Sequence, residues 1–141
     1  FTATVRPGLI ATKEDVLVAL AAGQSCVVNA LSPAQHRGEI APYGRPGHIR
    51  GSVNVPAMGG SGVVDPETHT YHSTDELRRR FENAGVHVGD RVITYCGGGI
   101  AASSAAFAAT LAGYGNVAVY DASLSEWAAD PSLPMEANPR T

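Results

Sequence analysis

The chain is organised around Val92-Ile93-Thr94-Tyr95-Cys96-Gly97-Gly98-Gly99-Ile100-Ala101-Ala102-Ser103-Ser104. β-Branched and aromatic residues lead into a cysteine, three glycines follow, and an alanine-rich segment continues to Leu111 with the hydrophobic spacing of a helix. This pattern predicts a strand, a tight loop and a helix.

The cysteine stands at the end of the predicted strand, where open α/β sheets bind their ligands. The glycines let successive backbone N–H groups turn towards its sulfur, and the following helix begins with a partial positive charge. We therefore expect Cys96 to act as a nucleophilic thiolate. The expected cradle consists of the amides of Gly97, Gly98, Gly99, Ile100, Ala101 and Ala102.

Composition restricts the class of protein. With 141 residues, 44% hydrophobic residues and a net charge of −3, the chain fits one globular domain and offers no basic stripe for nucleic acid. No apolar segment approaches membrane length, and no signal-peptide pattern is present. Two cysteines fit a reducing compartment, so we expect a cytoplasmic protein with neither nucleic-acid nor membrane partners.

Short apolar segments alternate with helical patterns along the chain. Strands are predicted near residues 25–30, 53–55, 92–95 and 117–120, which indicates an α/β fold with a parallel sheet covered on both faces. Residues 1–11 are interpreted as a linker, 12–130 as the domain and 131–141, with three prolines, as a loosely ordered tail. Ser73-x-x-Glu76 predicts a capping box, and the arginines at 78–80 are interpreted as a solvated helix face.

Several cysteine chemistries use a strand–loop–helix cradle. Phosphatases with a Cys-x5-Arg motif need arginine at the position of Ala102, and a redox Cys-x-x-Cys motif is absent. His48 is the histidine that a cysteine hydrolase would use as base, although a structural role in its loop is the simpler interpretation. His69 and His72 lack a third ligand, so we expect no metal and no cofactor. Sulfur transfer remains, because backbone amides alone can stabilise a persulfide anion.

Four segments resemble the rhodanese family. Residues 26–33 are similar to its first strand and turn, 46–56 to its Gly-His-Ile-x-Gly signature, 95–102 to its catalytic loop and 119–127 to its Tyr-Asp-Gly-Ser-x-x-Glu-Trp motif. The resemblance implies a rhodanese-like fold with a mainly parallel sheet of about five strands. It is strongest with the catalytic second half of tandem-domain thiosulfate and 3-mercaptopyruvate sulfurtransferases, which implies a possible preceding rhodanese-like domain.

The sequence departs from that family at donor-binding positions. Thiosulfate enzymes carry arginine and lysine where this chain has Gly97 and Gly98, and mercaptopyruvate enzymes carry hydroxyls at the positions of Gly98 and Ala101. Asn29-Ala30-Leu31 replaces the family's Asp-x-Arg, and Gln35 replaces an arginine. Arg45 is thus the main candidate for binding an anionic donor, with Arg50 and Arg6 behind it.

The resemblance implies a sulfurtransferase that moves a sulfane sulfur from a small donor to a thiol or cyanide acceptor through a persulfide on Cys96. The alternative is a rhodanese-like module without catalysis that binds or regulates a partner. Inactive copies usually lack the loop cysteine, so the presence of Cys96 favours the enzyme.

Overall fold

The computed structural model describes residues 1–138. Residues 139–141, the end of the expected tail, lie outside the described residues. The helices are α1 (Lys13–Ala21), α2 (Pro33–His36), α3 (Thr74–Asn83), α4 (Ile100–Leu111) and α5 (Ser123–Trp127). The strands are β1 (Ser25–Asn29), β2 (His48–Ile49), β3 (Val53–Asn54), β4 (Arg91–Tyr95), β5 (Val117–Val119) and β6 (Met135–Glu136).

The main sheet is parallel, with strand order β3-β1-β4-β5. It contains four strands where about five were expected, and Ile10 adds a single parallel bridge beside Val119 at the β5 edge. The chain moves from β1 to β3 on one side and then to β4 on the other. The topological switch point, where such sheets bind ligands, therefore lies between the carboxyl ends of β1 and β4.

Both faces of the sheet are covered, as predicted. Val27 of β1 packs in a cluster with residues of α1 and α5, including Val16 and Trp127. Its neighbour Val28 packs in a second cluster with Phe81 of α3. Because successive strand residues point to opposite faces, the helices of these two clusters lie on opposite sides of the sheet.

Helix starts follow the sequence signals, with one difference. Thr12 caps α1 and Ser32 caps α2 through complete capping boxes. Ser73 accepts the N–H of Glu76 at the start of α3, but the Glu76 carboxylate pairs with arginines instead of completing the box. The carboxylate is drawn away because two guanidinium groups on its own helix lie within 2.7 and 2.8 Å.

The arginines of α3 are not simply a solvated face. Arg78 donates two hydrogen bonds to the carbonyl oxygen of Ala112 at the end of α4, and Arg80 donates to the carbonyl oxygens of Gly60 and Gly62. Only Arg79 fits the expectation, with its side chain 66% exposed. The side chains of Arg78 and Arg80 are long enough to reach backbone carbonyl oxygens at the end of α4 and in a loop, where these oxygens can accept further hydrogen bonds.

The described residues next to the predicted domain boundaries, at 11 and 131–138, are more ordered than the sequence indicated. Ala11, placed in the expected linker, is buried and donates its N–H to the carbonyl oxygen of Val119. Residues 131–138 do not form a loose tail, because Leu133 is buried and β6 pairs antiparallel with β2. The indole of Trp127 also donates to the carbonyl oxygen of Pro134, which fixes this segment against α5.

Candidate active site

Cys96 directly follows β4 at the carboxyl edge of the parallel sheet. Cys96 is 3% exposed, and its Sγ accepts a hydrogen bond from the N–H of Gly99 at 3.1 Å. The loop thus closes back on the sulfur through the N–H of Gly99 before α4 begins. The thiol lies at the entrance to the topological switch point described above.

The backbone conformation at Gly99 requires glycine. Its φ is +95°, in the left-handed region, and a Cβ there would collide with the Asp121 carboxylate. From this conformation Gly99 accepts the first helical hydrogen bond, from the N–H of Ser103. The turn directs the N-terminus of α4 towards the sulfur.

The loop and the first turn of α4 leave several backbone donors unused. They belong to Gly97, Gly98, Ile100, Ala101 and Ala102, none of which donates to an acceptor among the described residues. Together with the partial positive charge of a helix N-terminus, such amides favour negative charge near them. This arrangement can stabilise an anionic sulfur without a basic side chain.

The segment after β5 fixes the backbone of Cys96. Its N–H donates to the Ser123 hydroxyl at 3.0 Å, and its carbonyl oxygen accepts the N–H of Leu124 at 3.1 Å. Ser123 is fully buried, has a positive φ of 52° and donates its own hydroxyl to the carbonyl oxygen of Tyr120. A non-glycine residue in this conformation is strained, so the surrounding contacts must hold it.

Ser125 fixes the next peptide. The carbonyl oxygen of Gly97 accepts both the N–H of Ser125 at 3.0 Å and its hydroxyl at 2.7 Å. In a trans peptide the carbonyl and the following N–H point in opposite directions. The two bonds therefore turn the N–H of Gly98 away from Ser125. In the preceding peptide, the bond from the Leu124 N–H to the Cys96 carbonyl turns the N–H of Gly97 away from Leu124.

A cavity of about 220 Å³ opens beside the sulfur. One wall is Tyr43, whose ring lies so close to Gly97 that a Cβ at position 97 would collide with it. Within the described part of the chain the Tyr43 hydroxyl has no hydrogen-bond partner. The lining consists of Leu31, Tyr43, Cys96, Gly97, Gly98, Ile100 and Ala101.

Comparison with known proteins decides the family. The model of the rhodanese-like domain matches residues 14–130. The chain belongs to the rhodanese family. A thiosulfate sulfurtransferase of Rattus norvegicus is 37% identical over 131 residues, covering 90% of this chain and 43% of the relative. A 3-mercaptopyruvate sulfurtransferase of Mus musculus is 34% identical over 134 residues, with 90% and 42% coverage.

A protein named as a putative thiosulfate sulfurtransferase SseB, from Mycobacterium tuberculosis, is 35% identical and covers 81% of this chain and 39% of its own length. The wild-type structure of EanB superposes with a TM-score of 0.84 at 25% identity, over 96% of this chain and 33% of that one. A structure of the same enzyme is described as carrying a cysteine persulfide. This rhodanese-like domain spans 39 to 43% of the length of these curated relatives.

Arg45 does not have the role that the sequence suggested. Its guanidinium donates four hydrogen bonds of 2.8 to 3.0 Å to backbone carbonyl oxygens. The acceptors belong to Trp127, Ala128, Asp130 and Leu133. We therefore correct the assignment of Arg45 to donor binding, because four of the five N–H donors that a guanidinium has are committed to the chain itself.

The other family positions also serve the structure of this rhodanese-like domain. Gln35 completes the cap of α2 by accepting the N–H and hydroxyl of Ser32. Asn29 lies 3.1 Å from His36 through its amide nitrogen and accepts the N–H of Leu31. Arg50 reaches the carbonyl oxygen of Met135 at 3.5 Å. These residues support the loops around the site and leave its lining uncharged.

His48, the base considered for a hydrolase, lies away from the cavity lining. It is 2% exposed and stacks on His36 with ring centroids 3.7 Å apart. Its Nδ1 faces the carbonyl oxygen of His36 at 2.6 Å and its Nε2 faces Glu136 at 3.2 Å. Both ring nitrogens are engaged, so His48 ties the loop to β6, which agrees with the structural role.

Tyr43, Ser123 and Ser125 contribute to the site and were not recognised from the sequence. Ser123 lies in the segment that resembles the family's last motif, so its buried contact could have been suspected from that resemblance. Tyr43 stands in a loop rich in proline and glycine, where no periodicity indicates which way a side chain points. Its role depends on how that loop folds back over Gly97.

Proposed function

We propose that this domain is a sulfurtransferase in which Cys96 accepts a sulfane sulfur and carries it as a persulfide. Thiosulfate and 3-mercaptopyruvate are the donor types that the names of the relatives bring to this proposal. The observation that supports it best is the sulfur of Cys96 beneath the Gly99 N–H, next to a set of amides without acceptors among the described residues.

The transfer requires no base. With thiosulfate, the Cys96 thiolate attacks the outer sulfur and forms a new S–S bond. The donor S–S bond breaks, sulfite leaves with the electron pair, and the enzyme retains a persulfide anion. The negative charge moves from Sγ to the terminal sulfur, where loop amides can stabilise it.

The second half-reaction regenerates the thiol. Cyanide or a thiolate attacks the terminal sulfur, a bond to carbon or sulfur forms, and the S–S bond of the persulfide breaks. The thiolate of Cys96 leaves with the electron pair. Thiocyanate or a new persulfide is released, and the cycle needs no external oxidant or reductant.

Mass spectrometry of the intact protein tests the proposal. After incubation with a sulfane donor, the protein should gain the mass of one sulfur atom, and cyanide should remove it. C96S should not gain it. C26A is the matched control, since burial raises the pKa of the Cys26 thiol to about 11 and keeps it protonated.

Two results would count against the proposal. Persulfide formation in C96S at the wild-type rate would place the sulfur elsewhere. A folded wild-type protein that gains no sulfur from any donor would favour the alternative of a binding or regulatory module.

A further inference from the structure

The cavity beside Cys96 has an uncharged wall. No lysine, arginine or histidine is among its seven lining residues. Apart from the thiol, the Tyr43 hydroxyl is the polar side-chain group of this wall, and backbone amides supply the remaining polarity. Leu31 is buried, whereas Ile100 is 87% exposed at the rim.

Two arginines that could bind an anion, Arg45 and Arg37, are engaged in contacts within the chain. Arg45 lines an adjoining pocket with Tyr43 and Leu31, but it is committed to four carbonyl oxygens. Arg37 forms a two-point ion pair with Glu39, with N–O distances of 2.8 and 3.0 Å. The four bonds leave Arg45 a single further N–H, the charge of Arg37 is paired with Glu39, and neither arginine lines the cavity beside Cys96.

This lining discriminates between donors by charge. A sulfonate group that enters the cavity loses hydration, and that cost is recovered only when a cation or a full set of hydrogen bonds replaces the water. The loop amides can compensate one negative charge, the one that ends on the persulfide. A second negative charge meets no cationic side chain in this lining, while an apolar group gains by contact with Leu31, Tyr43 and Ile100.

We propose that the preferred donor carries its sulfane sulfur on an apolar organic group and brings at most one negative charge. Organic thiosulfonates and organic hydropersulfides share this chemistry. The inference rests on the proposed function and names the substrate class of the same cavity. The Tyr43 hydroxyl, without a partner among the described residues, is placed to donate a hydrogen bond to the leaving group.

The reaction balances for both donors. The Cys96 thiolate attacks the sulfane sulfur, and the new S–S bond replaces the bond between that sulfur and the rest of the donor. A thiosulfonate releases a sulfinate, and a hydropersulfide releases a thiolate, which takes up the donor's proton. In each case the leaving group departs with the electron pair.

Toluenethiosulfonate and thiosulfate make a matched pair, because an aryl group in the first replaces one oxyanion of the second. The measurement is the second-order rate constant of persulfide formation on the wild-type protein, divided by that of the same donor with N-acetylcysteine. We expect this ratio to be at least about tenfold larger for toluenethiosulfonate, equivalent to about 1.4 kcal/mol. Benzyl hydropersulfide as a third donor shows which leaving group is preferred.

Two variants test the cause. A Cβ at position 98 would have Ser125 Oγ as its nearest neighbour at 4.0 Å, so Gly98→Lys can add a cation without a collision. Gly98→Lys should raise the normalised rate constant with thiosulfate and so reduce the preference for toluenethiosulfonate. Tyr43→Ala should reduce the same preference by lowering the normalised rate constant with toluenethiosulfonate.

A thiosulfate ratio equal to or above that of toluenethiosulfonate in the wild-type protein overturns the inference and leaves the proposed function intact. If no donor loads Cys96, the proposed function fails and the inference falls with it. Should Gly98→Lys not fold, the wild-type donor ratio still decides.

Discussion

Ser125 fixes the peptide between Gly97 and Gly98 through two hydrogen bonds. Its hydroxyl and its N–H both bond to the carbonyl oxygen of Gly97, so Ser125→Ala removes one of two bonds and leaves the other. We expect the rate of persulfide formation to fall about three- to tenfold, less than the loss of a direct oxyanion donor, because the Gly98 N–H becomes less well oriented. Single-turnover loading measures this.

The control for this variant is Ser61→Ala. Ser61 is exposed, and its hydroxyl has no partner among the described residues. Both variants should keep thermal stability close to the wild type. If Ser125→Ala loads as fast as Ser61→Ala, the orientation of the Gly98 amide does not limit the reaction.

At the level of residues, the sequence located the candidate cysteine and not the residues that support its loop. Cys96 could be found because strand, glycines and helix are contiguous in the chain. Tyr43 and Arg45 could not be assigned, because a loop side chain acquires its role from residues far away in sequence. The acceptors of Arg45 lie between residues 127 and 133, and no local pattern connects them to it.

The segment that follows α5 depends on Arg45. The helix ends at Trp127, and the guanidinium satisfies the carbonyl oxygens of Trp127 and Ala128 there. Arg45→Ala leaves the carbonyl oxygens of Ala128 and Leu133 without a donor among the described residues, while that of Trp127 keeps the N–H of Asp130 at 3.3 Å. We expect a loss of about 2 to 4 kcal/mol in the free energy of unfolding. Urea denaturation followed by tryptophan fluorescence measures it, because Trp127 lies in the affected region.

Arg79→Ala is the matched control for Arg45→Ala. Arg79 is 66% exposed, and its one partner among residues 1–138 is Glu76 on its own helix, so its removal should cost less than about 0.5 kcal/mol. Equal destabilisation by the two variants would show that the contacts of Arg45 with the chain contribute little.

Elements with their own hydrophobic pattern were predicted, and elements that exist only through pairing were not. β1, β4 and β5 are apolar segments between turn residues, and α1 and α2 begin at recognisable caps. β2 and β6 are two residues each, too short for any periodicity. They pair Ile49 with Met135 and His48 with Glu136, residues far apart in the chain that no local sequence pattern connects.

For the molecule as a whole, acid should weaken the fold through His36. Burial, and secondarily the stacked His48, lowers the pKa of His36 from 6.5 to about 4, while Glu136 opposes and Arg37 adds to the shift. The unfolded chain therefore takes up a proton near pH 6.5 that the folded ring refuses until about pH 4. Stability is complete above pH 6.5 and declines as the pH falls towards 4.

Since His36 is partly exposed, we expect the loss across this window to be of order 1 kcal/mol. Urea unfolding between about pH 5 and 6.5 separates the His36 contribution from that of the carboxylates. Carboxylates whose pKa is lowered by folding change stability mainly below their ordinary pKa near 4. The pH dependence should flatten in His36→Gln and persist in His87→Gln, which changes an exposed histidine. An unchanged slope in His36→Gln would assign the acid sensitivity to another group.

The contact between Tyr43 and Gly97 has an evolutionary consequence. A methyl group at position 97 and the Tyr43 ring claim the same volume, so any ancestor or descendant with a side chain after the cysteine must also have moved or lost its tyrosine. Position 43 can change alone, whereas a substitution at 97 requires that the Tyr43 ring be displaced or already lost. In a double-mutant comparison of Gly97→Arg and Tyr43→Ala, the second change should rescue part of the damage of the first, which is non-additive coupling.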